Sequence, residues 1–316
     1  MGRFAALLLV VAGAGRSLAA QGIPPYEAMN PLLFSRSGLW FQPYVDSAAP
    51  WQVRFLTDYA SIVEYIDLAQ SKLVLDAELL RLDATVTRNI GPVFVGGQVS
   101  FNAAYPGFMD GFLDWYHDLI GLQVAARKLR PRDQFEYSIR LPDGREFERS
   151  RSSGFLGDVR LLAGHRHTRH WQTTIGVTLP TNGGPTGYGR ETASVSGVTT
   201  ARLPLDHRWT TELSAGAGYT PKHGDLTAYQ RTFFHSASAG VRYRFSGKQA
   251  GFLNLFYQSA SYRDTGMRAF DNRELTLDYG FLLRARKGPE WFLGMTEDLE
   301  PRGPAIDLSF RIGARW

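Results

Sequence analysis

The last eleven residues of the chain, residues 306–316, read IDLSFRIGARW. Successive side chains of an extended strand point to opposite faces, so Ile306, Phe310 and Trp316 share an apolar face. Asp307 and Arg311 fall on the other, polar face. A single alternating segment of this kind is compatible with any half-buried strand. The fold class therefore depends on whether the pattern recurs along the chain.

The alternation recurs about twelve times from Trp51 onward. The predicted strands cover approximately residues 51–59, 80–86, 93–101, 159–163, 171–179, 195–203, 209–219, 237–245, 253–257, 275–283, 291–295 and 306–316. Alternating segments of about ten residues are typical of outer-membrane barrels. Between residues 73 and 86 the apolar positions change phase, which is compatible with a bulge or an extra turn. Ten or fourteen strands therefore remain alternatives to twelve.

The connections between these segments alternate in length. Short links at residues 205–208 and 246–249 alternate with longer ones at residues 181–190 and 220–232. Strands in lipid must close into a barrel, because backbone groups cannot stay unpaired in hydrocarbon. We therefore predict an all-β fold, a transmembrane antiparallel β-barrel of about twelve strands with short periplasmic turns and long extracellular loops. A large soluble β-sandwich or a lipocalin-like module is the alternative.

Composition excludes several classes of protein. The chain has no cysteine, which removes disulfide frameworks and thiolate metal sites. The formal net charge is only +5, and no basic run with stacking aromatic residues indicates a nucleic-acid partner. No sequence motif indicates a metal, a cofactor or a catalytic residue set. Only the predicted architecture therefore indicates a function.

The N-terminus has the pattern of an export signal. Arg3 is followed by an apolar run of about a dozen residues and then by small residues, which predicts a signal peptide over residues 1–20. Cleavage after Ala19 or after Ala20 fits equally well. Residues 21–50 are rich in proline and are predicted to form an irregular segment at or inside the periplasmic mouth. Residues 51–316 would form the barrel, with a long loop insertion at residues 103–153.

The insertion contains a distinctive segment, GFMDGFLDWYHDLIGL at residues 107–122. Its period changes from two to about 3.6, which predicts a short amphipathic helix from Phe108 to Ile120 in the loop after the third strand. Together with Asn30-Pro31-Leu32, this segment resembles an uncharacterised family of Gram-negative outer-membrane proteins, known as a domain of unknown function. The resemblance implies a porin-like β-barrel located in the cell outer membrane. It implies no substrate, reaction or catalytic residue.

One stripe of this helix is polar. Asp110, Asp114 and Asp118 stand four residues apart and are joined by His117. The lumen face, read by strand parity, carries more arginines than carboxylates. We therefore hypothesise that the helix folds inward and constricts the lumen. The alternative is a surface helix in the lipopolysaccharide interface.

A second candidate site is a ring of basic residues. Strand parity points five arginines inward near the periplasmic ends of their strands: Arg166, Arg202, Arg244, Arg286 and Arg315. Fixed positive charge at a pore mouth favours anions. The alternative is that these arginines pair with lumen carboxylates, as is ordinary in barrels.

Three functions are compatible with this architecture. The leading one is a porin-like channel or passive transporter for small solutes. The second is an outer-leaflet lipid hydrolase, in which His235 would meet Ser259 or Ser261 across a short turn. The third is a non-conducting structural or surface-interaction barrel. The expected partners are outer-membrane lipids, lipopolysaccharide and the barrel-assembly machinery, which would engage the terminal strand that ends at Trp316.

Overall fold

A computed structural model describes residues 22–46, 49–121, 124–285, 288–300, 303–304 and 306–316. The predicted signal peptide, residues 1–20, lies outside the described residues, as does Arg286 of the predicted basic ring.

The described chain consists mainly of strands joined by short turns or longer loops. The strands are β1 (Trp51–Asp67), β2 (Lys72–Ile90), β3 (Val93–Tyr105), β4 (Glu136–Arg140), β5 (Glu146–Glu148), β6 (Ser152–Leu156), β7 (Val159–Thr168), β8 (Trp171–Leu179), β9 (Ser194–Pro204), β10 (Trp209–Tyr219), β11 (Phe233–Arg244), β12 (Gln249–Gln258), β13 (Glu274–Arg284), β14 (Glu290–Asp298) and β15 (Leu308–Arg315). The helices are α1 (Pro31–Phe34), α2 (Asp110–Ile120), α3 (Ala125–Lys128) and α4 (Arg268–Asp271).

Twelve strands form a closed antiparallel barrel, which confirms the predicted fold class and strand number. Neighbours in sequence pair around the ring, β3 pairs with β7, and β1 closes the ring by pairing with β15. The remaining strands extend the sheet beyond one end of the barrel. β4 pairs with β2 and with β5, and β6 pairs with β3. The barrel thus has a short-turn end, where β1 starts and β15 finishes, and a long-loop end, where the insertion lies.

Outward-facing side chains make an apolar belt around the ring. The belt includes Phe55, Leu82, Val95, Leu161, Ile175, Leu213, Leu253, Phe281, Leu293 and Ile312, all exposed. Their alternation with inward polar residues is the pattern that suits lipid outside and water inside. No helix in the described part of the chain has the length and apolar character needed to span a membrane.

The change of phase in β2 has a structural cause. β2 pairs with β1 from Lys72 to Arg88 without a register shift, so no bulge or extra turn is present there. Leu80 and Leu82 face outward in the barrel wall, whereas Leu73 and Leu75, nearer the long-loop end, point to the inner face and are fully buried. They join a hydrophobic core that covers the long-loop end of the lumen. The apolar face switches because the exposed apolar belt lies outside the wall and this core lies inside it.

Candidate functional site: the occupied barrel lumen

The lumen is occupied by residues 22–46, called here the lumen segment. It rises from the short-turn end, turns at α1 and returns to β1, with Tyr26 and Phe41 pairing across the two arms. The side chain of Asn30 caps α1 by accepting a hydrogen bond from the Leu32 amide at 2.9 Å. Almost every residue of the segment is buried. The segment therefore has the burial of a protein core although it forms almost no regular secondary structure.

Charged side chains of β2 and β7 hold the first arm of the lumen segment. Arg160 binds Glu27 in a two-point ion pair, with nitrogen-to-oxygen distances of 2.6 and 3.0 Å. Arg81 donates to the backbone carbonyls of Glu27 and Ala28 at 2.9 and 3.2 Å. Paired guanidinium contacts of this kind fix geometry as well as contributing energy. The arm is thus attached at a defined height in the lumen.

Side chains of β8, β9 and β10 hold the second arm. Gln172 accepts from the Val45 amide at 2.8 Å and donates to the Pro43 carbonyl at 3.1 Å. Arg202 donates to the Tyr44 carbonyl at 2.9 Å, and its own charge is paired with Glu212 at 2.6 Å. These polar side chains satisfy backbone groups that an irregular segment cannot pair within itself.

A chain of charges runs along the inner wall from β13 to β2, beside the first arm. Arg311 lies between Asp58 and Asp278, with nitrogen-to-oxygen distances of 2.8 and 2.6 Å, and is only 2% exposed. It also donates to the Pro25 carbonyl at 2.7 Å. Asp58 binds Arg81 as well, at 2.8 Å. Strand parity predicts that Arg311 lies on the polar face, but it does not show which charges pair.

The space left beside the lumen segment is small. A cavity of ≈ 50 Å³ lies between the first arm and β2, β3 and β7, lined among others by Arg81, Asp83, Asn102 and Asp158. A cavity of this size holds a few water molecules. This cavity is therefore too small for larger solutes, and the buried lumen segment fills the space next to it.

The arginines of the predicted basic ring do not share one environment in the structure. Arg166 is buried and donates to backbone carbonyls, including that of Val45 in the lumen segment. Arg202 is bound to Glu212 and Tyr44, as described above, and Arg315 pairs with Glu290 at 2.5 Å. Arg244 is exposed. Two of the five predicted members thus contact the lumen segment directly.

The structure places α2 on the outside of the barrel, so the hypothesis that it constricts the lumen is wrong. Met109 and Leu113 pack against Leu308, and Phe112 contacts Phe310, at outward positions of β15. From the sequence alone, the many aromatic and aliphatic residues of α2 are compatible with a position in the lumen and with a position against lipid. The helix packs on the outer wall because these outward positions offer an apolar surface, whereas the inner face at this end is already covered by the hydrophobic core.

The acidic stripe of α2 is tied to neighbouring loops. Asp110 pairs with Arg127 at 2.6 Å, Asp114 with Arg132 at 2.7 Å, and His117 with Asp307 at 3.1 Å. Asp118 is exposed. The aspartates balance basic residues of the insertion and not the arginines of the lumen.

Glu78 fixes the start of α2. Its carboxylate accepts hydrogen bonds from the backbone amides of Phe108 and Met109. Gly107, just before them, has a φ of 75° and lies against the Glu78 side chain, where a Cβ atom would clash. The glycine therefore permits both the turn and the close approach.

Among the described residues, the imidazole ring of His235 has a tyrosine and not a serine as its hydrogen-bond partner. The ring Nε2 lies 3.2 Å from the Tyr257 hydroxyl, and Ser259 accepts a hydrogen bond from the backbone amide of His235. Because Ser236 pairs with Gln258, Ser259 lies directly opposite His235 and Ser261 does not.

The fold and the charged, occupied lumen define a β-barrel of the outer-membrane type. A solved structure with the same fold is the COG4313 outer membrane channel from Pseudomonas putida F1, with a TM-score of 0.51 and 12% sequence identity over 84% of this chain and 96% of that chain. The chain belongs to the family described as "Protein of unknown function (DUF3187)", whose model matches residues 27–316. This confirms the resemblance to a family of unknown function.

Two further barrels are more distant in structure. The NanC porin has a TM-score of 0.44 and 7% identity over 84% of this chain and 98% of that chain. The beta domain of the Bordetella autotransporter BrkA has a TM-score of 0.43 and 14% identity over 84% of this chain and 97% of that chain. No protein with curated annotation matches the chain. At these identities the likeness concerns the fold alone.

Proposed function

We propose that the protein is a porin-like channel for small solutes in the outer membrane, closed in this conformation by the lumen segment. The observation that carries the proposal is the composition of the inner wall: it is polar and charged even where it is buried beneath the lumen segment. A barrel built only as a scaffold gains more stability from an apolar filled core, because buried charges cost desolvation energy. If the segment moves, water reaches the inner wall and solvates these charges, which explains why the wall is charged in a channel.

The connection of the lumen segment to the barrel supports its role as a gate. The segment leads directly into β1 at the short-turn end, and its other described contacts with the wall are non-covalent. It forms no strand of the ring, so displacing it breaks no barrel pairing. The segment can therefore move while the barrel stays closed around it.

Single-channel recording tests the proposal. The comparison is between the chain as it is and a variant in which residues 22–46 are replaced by a glycine and serine segment of equal length. We expect rare openings for the original chain and frequent, larger openings for the variant, because its lumen is free for water and ions. The altered electrophoretic mobility of unheated barrels verifies folding of both proteins. Silence of a correctly folded variant would contradict a channel and favour a non-conducting barrel.

Location and partners form part of the same proposal. The apolar belt suits lipid contact, and α2 carries exposed apolar residues on the same outer surface, at Phe108, Trp115 and Leu119. We infer an outer-membrane location, with export through the predicted signal peptide and assembly through the terminal strand. Fractionation of cells that express the chain tests the location, and replacing Trp316 by serine tests assembly through the terminal strand.

A further inference from the structure

Four polar side chains form a patch on the inner wall at β12 and β13. Asn254 lies directly opposite Asp278, and Gln258 lies directly opposite Glu274. All four are 0 to 2% exposed, beneath the lumen segment. The patch is therefore as deeply buried as the centre of a protein core.

The hydrogen bonds of this patch are incomplete. Among the described residues, neither amide atom of Asn254 or of Gln258 has a hydrogen-bond partner. One carboxylate oxygen of Glu274 and one of Asp278 are also unpartnered. Nearly all buried polar groups in proteins are paired, so unpaired groups concentrated in one place require an explanation. Polar molecules that enter this patch would provide the missing partners.

The lumen segment meets this wall mainly through apolar contacts. Ile23, Tyr26 and Phe41 pack with Phe252 and Phe256 in one hydrophobic cluster. The polar contact with the patch is the Tyr26 hydroxyl, which donates to Glu274 at 3.1 Å. On the other walls the same segment is held by ion pairs and by hydrogen bonds to its backbone. Once its anchors on the other walls release, the segment therefore separates from β12 and β13 with the loss of few directional contacts, those of Tyr26 with Glu274 and Thr276.

The charge of the patch is negative or neutral. Glu274 and Asp278 are acidic, and the guanidinium of Arg311 beside Asp278 is shared with Asp58. The neighbouring basic residue of β11, Arg242, donates to Thr210 on the side away from β12. Carboxylates accept hydrogen bonds and amides both accept and donate them. Such a surface favours solutes rich in hydrogen-bond donors and disfavours anions.

We propose that the permeation path runs between the lumen segment and β12–β13, where Asn254, Gln258, Glu274 and Asp278 select small hydroxylated or amine-bearing solutes, uncharged or cationic, over anions. This inference rests on the proposed channel function. The two phenylalanine rings in the same wall add an apolar surface for the carbon skeleton of such solutes. Of the arginines predicted to favour anions, Arg166 in β7 and Arg202 in β9 lie outside this path, and both contact the lumen segment.

The test uses the full chain with substitutions in the patch. The double variant Asn254→Leu with Gln258→Met keeps side-chain volume and removes the polar atoms. We expect its conductance to fall by about tenfold, because a dry apolar constriction resists wetting. Thr174→Val in β8 is the matched control, since Thr174 is also a buried lumen residue whose hydroxyl has no hydrogen-bond partner among the described residues. The control should conduct like the original chain.

Selectivity provides the second measurement and does not depend on the double variant folding. Under a salt gradient we expect a reversal potential that indicates cation preference, and Glu274→Gln should move it toward zero. Swelling of liposomes that contain the channel should be faster with neutral sugars than with organic anions of similar size.

The outcomes separate this inference from the proposed function. Conductance that persists unchanged in the double variant, or anion preference of the original chain, would overturn the path along β12–β13 and leave the channel standing. Silence of the original chain and of every folded variant would contradict the channel itself.

Discussion

Arg160 and Glu27 join the barrel wall to the lumen segment through two parallel hydrogen bonds, with nitrogen-to-oxygen distances of 2.6 and 3.0 Å. The guanidinium of Arg160 also lies 4.6 Å from the centre of the Trp40 ring on the returning arm. One side chain of β7 thus contacts both arms of the segment. Substitution of the Arg160–Glu27 pair therefore tests whether the lumen segment gates the channel.

Replacing Glu27 by glutamine should increase the open fraction of the channel. Arg160 would keep its buried position without its charged partner, and removing one member of such a pair costs about 2 kcal/mol or more at an interface. That cost corresponds to an increase of about thirtyfold in the ratio of open to closed states. Single-channel recording measures this ratio.

Asp143→Asn is the control for that substitution. It neutralises a carboxylate whose partner, Arg145, is equally solvent-exposed, and exposed pairs contribute little. Equal open fractions for Glu27→Gln and Asp143→Asn would show that the ion pair does not hold the gate.

Replacing Arg311 by methionine should destabilise the whole barrel. The substitution leaves Asp58 and Asp278 buried without their shared partner, at an expected cost of about 3–5 kcal/mol. The midpoint of urea unfolding in detergent should fall. Adding Asp278→Asn to Arg311→Met should recover a large part of the loss, because one positive and one negative charge are then removed and Asp58 keeps its ion pair with Arg81. A double variant less stable than the single one would rule out charge balance as the cause.

The attachment of α2 should weaken as pH rises. The hydrogen bond with Asp307 raises the pKa of His117 above its ordinary value, although partial burial opposes this. A raised pKa means that the protonated ring stabilises the attached helix at low pH, and that this contribution disappears as pH rises through the raised value. The pKa of Asp307 is lowered, because contacts with His117 and Arg127 outweigh its burial, so the carboxylate stays charged throughout.

A spin label on a cysteine that replaces the exposed Asp118 measures this attachment, and the absence of other cysteines makes the label specific. Label mobility should increase between about pH 5 and pH 9. The same label in a His117→Gln background should show no such transition. A transition that persists without His117 would assign the pH dependence to another group.

The exposed residues of α2 should contact lipid. Leu119 is 67% exposed and Trp115 58%, and both lie on the outer surface next to the apolar belt. A spin label at position 119 should be more accessible to oxygen than to a water-soluble nickel complex, as expected in the acyl region of a bilayer. The label at the neighbouring position 118 should show the opposite preference. Equal access of the nickel complex to both positions would place the helix in water.

The sequence predicts the wall of this protein better than its interior. Alternation from Trp51 to Trp316 predicts about twelve strands and the inward direction of Arg311, because an apolar outer face and a polar inner face impose a period of two. Strand parity gives the wrong face for Leu73 and Leu75, because the apolar environment there is inside the barrel and the phase reverses. Periodicity shows which face of a strand is apolar. It does not show whether that face points into the barrel or away from it.

The site depends on contacts that alternation does not encode. Prolines at positions 24, 25, 31 and 43 indicate an irregular segment, yet its pairing with Arg160 and Gln172 requires the folded lumen. The position of α2 could not be derived either, because an apolar helix with an acidic stripe suits a charged lumen as well as a lipid surface. The amides of Asn254 and Gln258 were visible only as inward positions of β12, and their lack of partners is a property of the packed structure.

The most direct test of the central claim, that the lumen segment gates a channel, is a reversible lock. A Cβ atom built on Gly38 lies 3.0 Å from the Ser194 hydroxyl oxygen in β9, a spacing that suits a disulfide between Gly38→Cys and Ser194→Cys. Gly38 has a φ of 59°, which strains a cysteine there, so the electrophoretic mobility of the unheated variant verifies that it folds. Ser214→Cys with Ser238→Cys is the control, because this pair joins two wall strands and leaves the segment free. We expect the oxidised Gly38–Ser194 variant to be silent in a planar bilayer and to begin conducting when a reductant is added during the recording, while the control conducts in both states. Equal conductance of the locked and reduced protein would contradict the account.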